Sequence, residues 1–158
     1  MNKCRLFLLA LLAAPAALSP SWAHNGVDDE PHHGGVVKPH KEQHVEAVVL
    51  PAGGVQLYFS DAMGEPLPAS AVSQVAAEIE HPGGKTDEVD MDIDPTGVFW
   101  TGKAVPLGDP KAVMRVGFTF QGAPATVEVP GAALIAAAKK GPPKKAGDKI
   151  AADKHHEH

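Results

Sequence analysis

From Val45 to Val129 the chain breaks into short runs in which apolar and polar residues alternate, and nearly every run stops at glycine or proline. A period of two places successive side chains on opposite faces of an extended strand, whereas a helix would need a period near 3.6. His44 to Leu50 and Val55 to Ser60 flank Pro51-Ala52-Gly53-Gly54 and predict a hairpin. Val75, Ala77 and Ile79 alternate with Ala76, Glu78 and Glu80 in a third strand that ends at His81-Pro82-Gly83-Gly84. Val89, Met91 and Ile93 alternate with Asp90, Asp92 and Asp94 in a fourth, with Met91 and Ile93 expected to turn inward before Pro95-Thr96-Gly97. Val98 to Lys103, Ala112 to Phe120 and Ala123 to Val129 complete the set, the last two joined by Gln121-Gly122. Glycine and proline make up about a fifth of the 158 residues, which favours many turns and short strands. The fold class predicted is all-β: an immunoglobulin-like antiparallel β-sandwich of about seven strands over residues 36–130.

The ends of the chain read differently. Lys3 and Arg5 precede an apolar run from Leu6 to Leu18, and Ser21-Trp22-Ala23 offers small residues at a cleavage position, so residues 1–23 read as a secretory signal peptide and the protein as periplasmic. That run is shorter than the roughly 20 apolar residues a membrane helix needs, so no membrane insertion is expected. Cys4 is the only cysteine and lies inside the predicted signal, so any metal site in the exported chain must use nitrogen, oxygen or thioether ligands. Removing Lys3 and Arg5 leaves 12 basic residues against 19 acidic ones, a formal net charge of −7. Such a charge argues against a nucleic-acid partner. Residues 24–35 (HNGVDDEPHHGG) are polar and aperiodic and predict a flexible His-rich arm. Gly131 to Lys140 is alanine-rich with lysines at its end, which favours one short helix, a frayed coil being the alternative. Residues 141–158 are Lys-, Pro- and Ala-rich and are expected to be disordered, closing on a second cluster, His155-His156-Glu157-His158.

Five of the nine histidines lie between residues 24 and 44: His24, His32, His33, His40 and His44. Imidazole is the commonest metal-binding side chain and is largely neutral near pH 7. His33 precedes Gly34-Gly35 and a short strand Val36-Val37, while His44 begins the next strand; antiparallel pairing would bring the two rings near one sheet edge. Glu46 shares a strand face with His44 and is an oxygen ligand or orienting partner. His32, His33, His44 and Glu46 therefore form a candidate metal site, with His40 flanking the turn. Nitrogen and oxygen donors without thiolate suit copper(II), zinc, nickel or cobalt, and the Irving–Williams order favours copper over zinc. Cleavage after Ala23 would make His24 the N-terminal residue, whose amino group and ring could together hold copper.

Other chemistry fits less well. Met63 could offer thioether to copper(I), but neither it nor Met91 forms a methionine-rich motif. The acidic run Asp87 to Asp94 lacks the glycine and glutamate of a calcium-binding helix-loop-helix, since Pro95 and Thr101 stand at those positions. Ser60, Ser70 and Ser73 have no nucleophile-elbow context, and an enzyme is not expected.

His33-Gly34-Gly35-Val36-Val37, then His44-Val45-Glu46, then Val55-Gln56-Leu57-Tyr58 with Asp61 and Gly64-Glu65-Pro66-Leu67-Pro68, resembles the small His-Gly-Gly N-terminal metal-binding extension of periplasmic heavy-metal efflux adaptor subunits. The strand-D-x-x-G-x-P-L layout is also similar to exported immunoglobulin-like metal-handling domains. The resemblance implies metal handling in the periplasm, with His33 and His44 at the matching positions and His32 and Glu46 beside them. The implied partner is a heavy-metal efflux system or another periplasmic metal protein, although the hairpin and barrel regions of an adaptor are missing. The expected protein is a monomeric transition-metal carrier or buffer; the alternative is a non-enzymatic periplasmic interaction module of the same fold whose histidines are incidental.

Overall fold

The computed structural model describes residues 30–142. The predicted signal peptide, His24 and the histidines of the C-terminal tail lie outside the described residues. Among the described residues ten strands form two antiparallel sheets. The first sheet contains β1 (Val36–His40), β2 (Gln43–Val49), β3 (Val55–Asp61), β8 (Trp100–Gly102) and β7 (Met91–Ile93) in that spatial order, with β4 (Pro66–Leu67) also paired to β3. The second runs β10 (Ala123–Pro130), β9 (Val113–Phe120), β5 (Val72–Glu80), β6 (Thr86–Val89). The architecture is an all-β, immunoglobulin-like sandwich.

The core follows from the alternation. Val45, Ala47 and Val49 on β2, Val55, Leu57 and Phe59 on β3, Ala77 and Ile79 on β5, and Met114, Val116 and Phe118 on β9 turn inward and pack as one cluster. At about 25 cal/mol per Å² of apolar surface removed from water, this layer is the main favourable term of the fold. The turns match their residues: β9 and β10 are joined by Gln121 and Gly122, both at positive φ (49° and 79°), as a two-residue hairpin requires. Helix α1 (Gly131–Lys140) follows β10 directly and buries Leu134 in the same cluster, and it contacts β1, β2 and β10. Among the described residues no helix is long and apolar enough to cross a membrane.

One expected strand divides. Residues 86–93 form two strands in different sheets: β6 pairs with β5, and β7 pairs with β8. Val89 is buried, Met91 is half-buried and Ile93 is 43% exposed, so Ile93 does not turn inward. The chain crosses between layers at Asp90, where Gly102 makes room: a Cβ there would lie 2.6 Å from the Asp90 carbonyl oxygen and 2.7 Å from Met91 Sδ. The expected strand from Val98 to Lys103 shortens to β8 because Asp94 to Phe99 closes a turn, the Asp94 amide donating to the Phe99 carbonyl. On the outer face of the second sheet Arg115 bridges Glu78, Glu80 and Glu128.

Candidate functional site

β2 is buried along its whole length, on both faces. Its inner face is core; its outer face carries His44, Glu46 and Val48. Pairing with β3 sets His44 opposite Ser60 and Glu46 opposite Tyr58, and pairing with β1 sets His44 opposite Pro39 and Glu46 opposite Val37. A carboxylate only 6% exposed needs hydrogen-bond partners in such a place. Glu46 finds them in residues 32–35. One carboxylate oxygen accepts the backbone N–H groups of His33 at 2.8 Å and Gly35 at 2.9 Å; the other accepts the His32 N–H at 3.1 Å and meets His33 Nδ1 at 2.9 Å.

The stretch 32–35 is thus docked, contrary to its expectation as part of a flexible arm. The backbone donors find an acceptor across the sheet face, and Gly34 at φ 80° makes the bend that aims them there. Gly35 is equally required: a Cβ would sit 2.4 Å from the Ala47 carbonyl oxygen. Of the two roles expected of Glu46, oxygen ligand or orienting partner, its contacts fit the second, since both its oxygens are engaged by N–H donors and by His33. What it does is orient. A histidine that donates Nδ1–H to a carboxylate carries its lone pair on Nε2, the arrangement typical of metal-ligating histidines. The His33 ring lies flat on Tyr58, with centroids 3.6 Å apart and planes 4° from parallel, and Tyr58 in turn tilts against Phe99 at 5.0 Å. The His33 side chain remains 39% exposed.

Beside this stack is a hollow of about 160 Å³ whose lining includes Glu30, His32, His33, Glu46, Tyr58 and Leu67. Burial, then the Glu46 and Asp94 carboxylates, push the Tyr58 phenol above its ordinary value of 10.0.

The remaining histidines are dispersed. His44 shares the outer face of β2 with Glu46 but lies one pair further along the strand, 3% exposed, and does not line the hollow. His40 pairs with Gln43 at the end of the β1–β2 hairpin, on the opposite face from Pro39 and His44, with its ring edge-on to Phe118 at 6.2 Å. It is separated from His33 by the sheet itself. Among the described residues no group of three or more His, Cys, Asp or Glu side chains is placed to hold a metal ion. His32 and His33 are brought together at one hollow; His44 and His40 are not brought to it.

Sequence reasoning overlooked Tyr58 as a site residue. Its signal lay in the hairpin register: the five residues Leu50 to Gly54 connect β2 to β3, which sets Val49 against Val55 and hence Glu46 against Tyr58.

No protein-family model matches the chain, and no curated protein matches it. Among solved structures it is similar to a crystal structure of a DUF4426 family protein from Pseudomonas aeruginosa PAO1, at 11% sequence identity and a TM-score of 0.44, over 59% of this chain and 91% of that one.

Proposed function

We propose that this protein is a periplasmic transition-metal carrier or buffer, with copper favoured over zinc, that presents an ion-binding surface at His32 and His33 and serves an efflux system or another periplasmic metal protein. The observation that carries the reading is the Glu46–His33 couple. A buried carboxylate fixes the tautomer and orientation of an exposed imidazole, so that its second nitrogen is a ready donor. The fit to an ion is that of an open site and not a closed cage. Few donors and partial exposure suit rapid loading and release, which a carrier needs. The resemblance at His33-Gly34-Gly35 and His44-Val45-Glu46 points the same way.

The test is calorimetric titration of the chain beginning at His24 with copper(II) and zinc, repeated on His33→Ala and, separately, on His44→Ala. His33→Ala is expected to weaken binding at least tenfold, which is about 1.4 kcal/mol, with His44→Ala having less effect. Binding of both ions unchanged by His33→Ala would defeat the assignment.

A further inference from the structure

The two ends of the described chain come together. A Cβ added at Gly34 would lie 2.8 Å from the Pro142 Cα, so the residue after His33 abuts the point from which the sequence continues past α1. Between the docked stretch and α1 lies a groove of about 660 Å³, whose lining includes Glu30, Gly34, Ala133, Ala137, Lys140 and Pro142. Glu30 and Val37 line both this groove and the hollow beside His33, so the two cavities adjoin.

We propose that a divalent transition-metal ion bound at His33 is shared with His155, His156 and His158 of the same chain, residues 143–158 folding back over this groove when the ion is present; the inference rests on the metal-carrier reading above. Three observations favour the chain's own C-terminal segment as the occupant. The first is position. Twelve residues, 143–154, separate Pro142 from His155, and a chain of that length reaches up to about 45 Å from an origin that touches the neighbour of His33. Donors tethered in this way act at an effective concentration on the order of millimolar, well above that of a second protein chain in dilute solution. The second is charge. Asp28, Asp29 and Glu30 precede the docked stretch, whereas Lys139, Lys140, Lys144 and Lys145 flank Pro142. Glu30 and Lys140 line the same groove, so attraction between the opposite charges favours a segment laid along the groove over one directed away from it. The third is ligand chemistry. With Nδ1 held by Glu46, His33 offers Nε2 to an ion, and residues 155–158 add three imidazoles and a carboxylate within four positions, the nitrogen and oxygen donors that zinc and copper(II) accept.

Energy transfer within one chain tests this. The chain beginning at His24 has Trp100 as its only tryptophan and contains no cysteine, so an acceptor dye on the thiol of Ala151→Cys reports how near the C-terminal segment comes to the first sheet. Zinc is expected to raise the transfer from Trp100 to a level independent of protein concentration, and chelator to reverse it. His33→Ala is expected to abolish the rise, as is the triple replacement His155→Ala, His156→Ala and His158→Ala. In calorimetry the unlabelled chain is expected to take up one zinc ion, and the triple variant, which leaves residues 30–142 untouched, to bind it at least about tenfold more weakly. Two ions per chain, with the triple variant losing one and keeping the His33-dependent ion at unchanged affinity, overturns the sharing and leaves the carrier reading standing. Binding that needs His33 but brings no change in transfer does the same. A transfer that grows with protein concentration assigns the added donors to another copy and also overturns the sharing. No zinc or copper binding, or binding of both ions untouched by His33→Ala, overturns both readings.

Discussion

Glu46 is the residue on which the site depends. Its carboxylate accepts three backbone N–H groups and engages one imidazole, spanning 11 to 14 positions of sequence. Hydrogen bonds to a buried charged group are worth more than neutral ones, so Glu46→Ala is expected to cost about 3 kcal/mol in chemical denaturation. It should also raise amide exchange at residues 32–35 before the rest of the domain opens. Tyr58 gives a direct optical report, because it is the only tyrosine in the chain. Its phenolate absorbance should grow in only above pH 10, and Glu46→Gln should shift that titration downward by removing a neighbouring negative charge. The sign for stability follows: a phenol whose folded value is raised contributes stability fully present below pH 10 and lost as pH climbs through the folded value. Much of this was legible beforehand. His33 and Glu46 stood out as chemistry-bearing residues, with Glu46 open between ligand and orienting partner, because a carboxylate that binds metal and one that binds amides look alike until the path of residues 32–35 is known.

At the scale of elements, the hairpins were the most legible parts. β2–β3 and β9–β10 each combine period-two alternation with a short turn of glycine, and both fall where the alternation places them. The β5–β6 hairpin carries a pH-sensitive contact at its turn. Lys85 and His81 both reach Asp87, at 2.8 and 2.9 Å, and hold its carboxyl below the usual 3.8. A depressed carboxylate contributes stability above its unfolded value that disappears as pH falls through the folded one. Asp87→Asn should therefore be less stable than the native chain at neutral pH, and the difference should shrink in thermal melts as pH falls below the ordinary carboxylate value of 3.8. Helix α1 is a second test at this scale. Leu134 is 1% exposed within the core cluster, so Leu134→Ala is expected to cost about 3 kcal/mol, read from the denaturation midpoint. The acidic run 87–94 was less legible, since alternation distinguishes two faces of a strand but does not say which sheet the strand joins.

On the scale of the whole molecule, the fold turns one sheet face into the candidate site. The core side of β2 holds the sandwich together, while its other side is roofed by residues 32–35 and bordered by α1. Gly35→Ala, by driving a Cβ into the Ala47 carbonyl, is expected to lift that roof at a cost of about 2 kcal/mol. Zinc or copper binding should weaken in the same variant, measured by titration, while the circular dichroism of the sheets stays near native.

By itself the sequence determined the sandwich, its principal hairpins, the inward residues of most strands and the ligand chemistry open to a chain with no cysteine beyond residue 4. Those properties are local: alternation fixes which face a residue takes, and glycine fixes where the chain can reverse. Only the tertiary structure showed that Glu46 receives the amides of residues 32–35, that His40 and His44 are not among the residues lining the hollow beside His33, and that Asp90 marks a change of sheet. Each depends on where the backbone passes over a distant strand, and that path is set by the joint demand that the core be filled and every buried amide and carboxylate find its partner.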